Sequence, residues 1–281
     1  MERVGVVGCG QMGSGIAEVA ARAGYDVRVV ETSPAAVQAG VERLESSLRR
    51  AEKRGRIESA DAVLERLEVV EGLDALADRE LVVEAIAEDE EIKTGVFREL
   101  DRVVTDPGAI LASNTSSIPI MKLAVATSRP DQAVGIHFFN PVPVLSLVEL
   151  VPSLMTSDGT LAGARSFVEE GLGKKAIDCQ DRAGFVVNAL LVPFLLSAIR
   201  MMESGFATAE DIDEGLVRGC AHPQGPLALS DLIGLDTVKA VAESMYAEFK
   251  EPLYAPPPLL ARMVEAGLLG KKAGRGFHTY A

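Results

Sequence analysis

The stretch "VGVVGCGQMGSGIA", residues 4–17, joins an apolar strand-like run to a helix-like pattern through three spaced glycines. Gly8, Gly10 and Gly13 have the spacing GxGxxG, and between a strand and a helix this spacing indicates the first βαβ unit of a dinucleotide-binding domain. Gly8 would permit a tight turn, Gly10 a close approach of backbone to phosphate, and Gly13 close packing of helix on strand. Glycines also mark ordinary turns, so the position of the motif carries more weight than its spacing.

Outward from this motif, short Val-rich runs alternate with longer segments of helical pattern. Further strands are predicted near residues 67, 81, 109, 133, 145 and 174. The alternation predicts a doubly wound, Rossmann-like α/β sheet, because parallel strands need crossover helices. After "DRAGFVVNALL" (181–191) the strand signal ends, and Thr208 before "AEDID" is typical of a helix start. We therefore predict an α/β domain over residues 1–182 and an all-helical domain over 183–281.

Composition narrows the class of partner. The chain has 281 residues, 48% hydrophobic and 25% charged, with a formal net charge of -13. Nucleic acid is an unfavourable partner, because binding its phosphates requires an excess of Lys and Arg. The one dense basic run is "LRRAEKRGR" (48–56), which is either a contact for a small anionic ligand or a solvated helix face.

The cysteines and the apolar stretches favour a cytoplasmic protein. Three cysteines at wide spacing suit neither a disulfide framework nor a metal site, and the chain starts directly with a strand-like run. The longest apolar stretch, 183–199, contains Asn188 and Pro193 and is too short for a bilayer, which needs about 20 residues. No membrane association and no metal are expected.

Glu31 ends the second predicted strand, "DVRVVE". An acidic residue at this separation from the glycines accepts hydrogen bonds from the ribose hydroxyls of NAD and repels the 2′-phosphate of NADP. NAD is therefore the expected cofactor, although nearby Arg28 leaves NADP open. The alternative is that Glu31 is a plain surface residue at a strand end.

One histidine and one glutamate interrupt the apolar stretch "IHFFNPVPVLSLVEL", residues 136–150. His137 ends a predicted strand, at the sheet edge where open α/β folds bind ligands. A buried Glu149 needs a partner. If "NPVPV" turns the chain back, the carboxylate can hold one ring nitrogen of His137 and leave the other to act as a base. The alternative is a structural pair without chemistry.

Two further segments carry polar candidates. In "LASNTSSIPI" (111–120), Ser113, Asn114, Ser116 and Ser117 are equally suited to be turn formers and helix caps. Asn188 lies in the apolar helix that opens the second domain, where its amide needs a partner such as a substrate carbonyl at a domain cleft.

At these residues the sequence resembles a known family, over essentially the whole chain. The segments "GCGQMGSGIA", "SNTSS", "GIHFFNPVPVLSLVEL", "DRAGFVVN", "HPQGP", "GLDT" and "GKKAGRGF" occur in an order similar to that of the short-chain L-3-hydroxyacyl-CoA dehydrogenases, including the bacterial 3-hydroxybutyryl-CoA dehydrogenases. The segment "HFFNPVP" followed by a glutamate is far more specific than the glycine motif.

The resemblance implies an NAD-binding domain followed by a helical domain that forms a homodimer. It implies that His137 removes the 3-hydroxyl proton and that Glu149 orients His137. It also implies that Ser116 hydrogen-bonds the reacting oxygen and that Asn188 completes the polar pocket. The implied cofactor residues are Gly8, Gly10, Gln11, Met12, Gly13, Glu31, Glu88, Lys93 and Lys272. The implied residues for the acyl-CoA substrate are Ser47, Arg54, Ser116, Asn140 and Asn188. Arg54 stands where the family more often has a lysine, and Gln224 and His278 also depart from the family pattern.

The expected reaction is reversible, NAD-dependent oxidation of an (S)-3-hydroxyacyl-CoA, with 3-hydroxybutyryl-CoA as the favoured substrate. Two alternatives stay open. L-gulonate dehydrogenases and related lens crystallins are similar over the same motifs, so the substrate could be a free hydroxy acid, or the protein could bind NAD without catalysis. Ser47 and Arg54 favour a CoA ester over a small acid, and an intact His137 and Glu149 favour an enzyme.

Overall fold

The computed structural model describes residues 1–280, which form two compact units, one over Met1–Asp181 and one that begins at Arg182. The predicted domain boundary, between residues 182 and 183, lies one residue later. The first unit contains one eight-stranded sheet, and the second contains helices. The predicted α/β sheet domain followed by a helical domain is thus confirmed.

The strands follow the Val-rich runs of the sequence. They are β1 (Arg3–Val7), β2 (Asp26–Glu31), β3 (Leu67–Glu71), β4 (Leu81–Glu84), β5 (Ile110–Ser113), β6 (Ala133–Phe138), β7 (Leu147–Pro152) and β8 (Lys175–Asp178). Their order in the sheet is β3-β2-β1-β4-β5-β6-β7-β8. All neighbouring strands are parallel except β6 and β7, which form an antiparallel pair. The order reverses beside β1, so the first glycine loop lies at the switch point where open sheets bind ligands.

Helices connect these strands. In the first unit they are α1 (Gln11–Arg22), α2 (Pro34–Lys53), α3 (Ala60–Leu64), α4 (Glu90–Val103), α5 (Ile120–Ala124) and α6 (Asp158–Ser166), with a π-helical turn at Phe167–Gly171 and 3-10 turns at Leu73–Leu76 and Pro130–Gln132. The start of α2 is encoded locally, since the Ser33 side chain accepts a hydrogen bond from the backbone N–H of Ala36 and Pro34 occupies the first helical turn.

Apolar side chains cover both faces of the sheet. Val4 and Val6 of β1 belong to one buried cluster, whereas Val7 belongs to another with Val30 and Leu111. A sheet covered on both faces has strands that are almost continuously apolar, which explains why polar residues within them stand out in the sequence.

The second unit is built from α7 (Val187–Glu203), α8 (Ala209–Cys220), α9 (Pro226–Ile233), α10 (Leu235–Phe249) and α11 (Pro258–Glu265), with a 3-10 turn at Lys271–Ala273. Thr208 caps α8 as predicted, because its side chain accepts from the backbone N–H of Asp211. A separate apolar core contains Leu195, Leu235 and Met245. Among the described residues, none of the helices combines the length and apolarity needed to cross a membrane.

Candidate active site

The glycine loop between β1 and α1 has the backbone geometry that the motif requires. Gly8 has φ +93°, a left-handed conformation that side chains rarely adopt, and its N–H donates to the carbonyl of Val30 on β2 at 2.8 Å. A Cβ on Gly13 would lie 1.9 Å from the Gly8 carbonyl oxygen, so only glycine allows α1 this close to the loop. A Cβ on Gly10 would meet nothing within 4 Å, which leaves open space above the loop.

The same loop fits the pyrophosphate of NAD. The first backbone N–H groups of a helix lack partners inside the helix, and Gly10, at the N-cap of α1, brings no side chain to bind them. These groups and the helix dipole form a site for an anion. The neighbouring Gln11 and Met12 form the first turn of α1, and Gln11 is exposed. The open space at Gly10 and the uncapped helix together provide what a phosphate group needs.

Glu31, at the end of β2, is tied to the glycine loop. Its Oε1 accepts a hydrogen bond from the backbone N–H of Cys9 at 2.5 Å. On the other side of the loop, the Arg43 guanidinium of α2 donates to the Cys9 carbonyl. The Glu31 carboxylate is therefore held at the loop rather than projecting loosely into solvent, in a position suited to ribose hydroxyls.

His137 and Glu149 lie opposite each other in the antiparallel pair β6 and β7. The Nδ1 atom of His137 is 2.7 Å from Oε2 of Glu149, and the two side chains are 7% and 0% exposed. The conditional prediction that "NPVPV" turns the chain back is correct. The ring of Phe139 packs edge-on to the imidazole, with centroids 4.7 Å apart.

Ser116 belongs to the loop after β5, which is organised around Glu88. The Oε1 atom of Glu88 accepts from the Thr115 hydroxyl at 2.5 Å and from the backbone N–H groups of Ser116 and Ser117 at 2.9 and 3.1 Å. Burial alone would raise the pKa of Glu88, but the Lys93 ammonium and these hydrogen bonds outweigh it and hold the pKa below its ordinary value. Glu88 is thus an anion around which the loop folds.

Lys93 lies behind this loop rather than on its surface. Its side chain is 1% exposed, and its ammonium contacts Glu84 at 2.6 Å and Glu88 at 3.2 Å. Glu84, which is completely buried, also accepts from the Ser113 hydroxyl at 2.6 Å. The cofactor-binding role of Lys93 stays a prediction. In this arrangement Lys93 would act on the cofactor through Glu88 rather than by direct contact.

A side-chain amide joins the Ser116 loop to the strand that bears His137. The Oδ1 atom of Asn114 accepts from the backbone N–H of Phe138 at 2.8 Å. Asn140, another predicted substrate residue, lies two residues after the end of β6 and is exposed. The carboxyl ends of β5 and β6 therefore bring the serine loop, the histidine and Asn140 to one edge of the sheet.

The remaining predicted site residues lie on α2 and in the second unit. Ser47 is partly buried within α2, and Arg54 caps the C-terminal end of the same helix and is exposed. Seven residues are about two helical turns, so both lie on one side of α2, some 10 Å apart along its axis. Asn188 and Lys272 belong to the second unit: Asn188 is in the first turn of α7, and Lys272 forms an ion pair with Asp236 at 2.6 Å.

Family comparison matches nearly the whole chain. Residues 3–182 match the model of the NAD binding domain of 3-hydroxyacyl-CoA dehydrogenase, and residues 184–280 match that of its C-terminal domain. This chain belongs to the 3-hydroxyacyl-CoA dehydrogenase family. The resemblance predicted from the sequence, the NAD cofactor and the class of reaction, NAD-dependent oxidation of a 3-hydroxyacyl-CoA, are confirmed.

Full-length relatives support the assignment. The dehydrogenase is 60% identical, over all of its length and 99% of the relative's, to a 3-hydroxybutyryl-CoA dehydrogenase of Mycobacterium tuberculosis. It is 40% identical to the human mitochondrial hydroxyacyl-coenzyme A dehydrogenase, with 100% and 91% of the two chains covered. The crystal structure of M. tuberculosis FadB2 matches with a TM-score of 0.99 at 60% identity, covering 100% and 99% of the two chains. That of (S)-3-hydroxybutyryl-CoA dehydrogenase PaaH1 from Ralstonia eutropha matches with a TM-score of 0.94 at 45% identity and the same coverage.

Sequence reasoning missed several residues that organise the site of the dehydrogenase. Glu84 stands in the apolar run "LVVEAI", and the argument used for Glu149, that a buried carboxylate needs a partner, would have found it. Asn114 was noted in the sequence but could not be distinguished from a turn former, and Thr115 was not noted. Arg43 had no signal, because its role depends on α2 lying beside the glycine loop.

Proposed function

We propose that the dehydrogenase interconverts (S)-3-hydroxybutyryl-CoA and the corresponding 3-oxoacyl-CoA, with His137 as the general base. The observation that carries the proposal is the buried 2.7 Å contact between His137 Nδ1 and Glu149 Oε2 at the ligand-binding edge of the sheet. The names of relatives that are 60% and 45% identical favour a four-carbon acyl group. With the acidic partner on Nδ1, Nε2 is the ring nitrogen that would exchange a proton with the substrate.

In the oxidation, Nε2 of His137 takes the proton from the 3-hydroxyl group. The Glu149 carboxylate fixes the tautomer of the ring and stabilises the imidazolium that forms. The chemistry that bound NAD would supply is that of a hydride acceptor for the carbon that bears the hydroxyl. In the reverse direction the imidazolium returns its proton to the developing alkoxide, so the same pair serves both directions.

The polar residues around this pair would orient the substrate. The Ser116 hydroxyl, on the loop that Glu88 holds, would donate to the reacting oxygen. We also assign Asn140 and Asn188 to the acyl-CoA substrate, where their side-chain amides would bind oxygen atoms and amide groups of the substrate. Ser47 and Arg54 on α2 would contact coenzyme A, whose phosphates suit an exposed cation on an otherwise acidic chain.

Lys272 is assigned to cofactor binding together with the glycine loop, Glu31 and Glu88. Its ion pair with Asp236 fixes its position in the second unit, where half of its side chain is exposed. If Lys272 binds the cofactor, Lys272→Met should raise KM for NADH. Replacement of Asp236 would remove the ion pair that holds the Lys272 ammonium.

We further propose a homodimer formed through the second unit, in the cytoplasm. Large apolar side chains lie exposed on this unit, including Leu190 (75%), Phe206 (80%) and Leu232 (53%). Exposed apolar side chains that adjoin one another favour association, and the proposal places these three in one association surface. Light scattering coupled to size exclusion would measure the mass, and Leu190→Glu should favour the monomer if α7 takes part.

The substrate assignment is tested with three assays that follow NADH absorbance. Acetoacetyl-CoA with NADH should be turned over, and a series of longer 3-oxoacyl-CoA thioesters should be used less well. L-gulonate with NAD should give no activity. Turnover of L-gulonate without acetoacetyl-CoA turnover would identify a free-acid dehydrogenase instead, and inactivity in every assay would leave a protein that only binds NAD.

The role of His137 is tested by His137→Gln, with His222→Gln as the matched control. We expect kcat to fall by roughly two to four orders of magnitude, the usual scale for lost acid and base help, with little change in NADH affinity. Near-normal kcat in His137→Gln would show that another group moves the proton.

A further inference from the structure

The loop that joins His137 to Glu149 is held by a lysine from another part of the first unit. Lys174 follows the π-helical turn Phe167–Gly171 and precedes β8. Its Nζ atom donates to the backbone carbonyl of Val142 at 2.8 Å and to that of Leu145 at 2.6 Å. Both carbonyls belong to the loop 139–146, between β6 and β7.

Backbone contacts fix the base of this lysine. The N–H of Lys174 donates to the carbonyl of Val168 at 3.0 Å, and the next N–H, that of Lys175, donates to the carbonyl of Ser146 at 2.7 Å. Gly173, with φ +63°, makes the turn that presents the side chain to the loop. The ammonium therefore acts from an anchored position rather than from a flexible surface.

The other side of the loop rests on the helix of the glycine motif. A Cβ on Gly15 of α1 would lie 2.9 Å from the Cβ of Val142. Val142 is 2% exposed, so it is enclosed between the backbone of α1 and the Lys174 ammonium. A shift of Val142 would therefore change the contact with α1 and the loop that joins the strands of His137 and Glu149.

Lys174 is not held beside the loop 139–146 by attraction to a carboxylate. Among residues 1–280, Lys174 makes no ion pair with a carboxylate. Burial, and then the nearby Arg22 guanidinium, lower the pKa of Lys174 below its ordinary value. Its stabilising partners are the two loop carbonyls, and charge-assisted hydrogen bonds of this kind are stronger than neutral ones.

We propose that Lys174 is a positioning residue of the dehydrogenase: by clamping the loop 139–146 against α1, it keeps His137 and Glu149 in the geometry required for proton transfer. The inference rests on the proposed roles of His137 and Glu149. Misplacement of a catalytic group by about 1 Å can cost on the order of a hundredfold in rate, so loosening the loop should lower kcat without removing a group that touches the substrate.

The test compares three variants with acetoacetyl-CoA and NADH. Lys174→Met keeps an unbranched apolar stem but removes the ammonium and its donors, and Lys174→Arg restores a cation with donors. Lys175→Met is the control at the adjacent, exposed lysine. We expect Lys174→Met to lower kcat about ten- to a hundredfold, with KM for NADH changed less than about twofold. Lys174→Arg should recover most of kcat, and Lys175→Met should match the wild type.

A double-variant cycle separates positioning from a general loss of structure. If Lys174 acts through His137, adding Lys174→Met to His137→Gln should change the residual kcat less than about twofold, because residues that act as a unit are not additive. The same fold loss in both backgrounds, or a Lys174→Met variant with kcat near that of the wild type, would overturn the inference. If Lys174→Met does not fold, Lys174→Gln takes its place under the same criteria. Failure of the proposed function is distinct, because it would appear in His137→Gln alone.

Discussion

His137 and Glu149 are direct partners across β6 and β7, and both point to the same face of the sheet. Their neighbours Ile136 and Phe138 on β6, and Val148 and Leu150 on β7, enter the apolar cluster on the opposite face. Because side chains alternate along a strand, this burial leaves the two polar residues together on the other face. The pair is thus fixed by the packing of its apolar neighbours.

Replacing Glu149 with Gln should lower kcat much more than it lowers stability. The amide has nearly the same shape but neither fixes the required tautomer nor stabilises the imidazolium, and comparable changes in triads cost about 10⁴-fold in rate. We expect a loss between about 10² and 10⁴ in kcat. Steady-state kinetics and thermal unfolding measure the two effects, with Glu170→Gln as a surface control. A Glu149→Gln variant that keeps its kcat would make the pair structural.

Two glycines of the motif should have different roles: Gly13 is required for packing, whereas Gly10 faces the ligand. In Gly13→Ala the new Cβ would lie 1.9 Å from the Gly8 carbonyl oxygen, so α1 must move. We therefore expect the free energy of unfolding to fall by about 1–3 kcal/mol or more. In Gly10→Ala the Cβ meets no protein atom within 4 Å, so stability should change by less than about 0.5 kcal/mol.

Gly10→Ala should instead raise KM for NADH, because the methyl group takes up space where a phosphate approaches the backbone. Urea unfolding and NADH titration of both variants measure the two effects. Equal destabilisation by both substitutions, or unchanged NADH binding by Gly10→Ala, contradicts the division of roles.

The stability contributed by Glu88 should depend on pH. Its pKa is below the ordinary value of 4.5 in the folded protein, so its ionised form stabilises the fold above pH 4.5, and this contribution is lost as the pH falls through the lowered pKa. Glu88→Gln cannot ionise. The difference in free energy of unfolding between wild type and Glu88→Gln should therefore be largest near neutral pH and shrink in acid, as urea unfolding at several pH values would show. A difference that is constant or grows in acid would be inconsistent with a lowered pKa.

Cysteine reactivity should differ sharply between Cys9 and Cys220. Burial, and then the Glu31 carboxylate, raise the pKa of the Cys9 thiol to about 11, whereas Cys220 is exposed at the end of α8. Because the thiolate is the reactive form, Cys9 should stay unmodified at pH 8 in the folded protein while Cys220 reacts. Labelling with iodoacetamide before and after unfolding in urea, followed by peptide mass spectrometry, measures this. Rapid labelling of Cys9 in the native protein would mean that the glycine loop opens.

Local patterns were sufficient for the elements and for part of the site. The alternation of Val-rich runs with helical segments predicted every strand of the sheet, and the glycine spacing predicted the tight turn at Gly8. His137 and Glu149 were found because a polar residue in a strand buried on both faces needs a reason to be there. These signals lie within a few residues of each other, where steric and burial constraints act directly on the sequence.

What the tertiary structure alone decided is which distant residues meet. The sequence allowed but did not establish that β7 runs back along β6, and nothing in it indicated that Asn114 would bind the strand of His137 or that Lys174 would reach the loop before β7. Glu88 was singled out only by the family resemblance, since its own sequence context does not distinguish it from the acidic residues that follow it. Strand order and helix packing bring these groups together, and a single polar side chain carries no periodic signal from which its partner can be read.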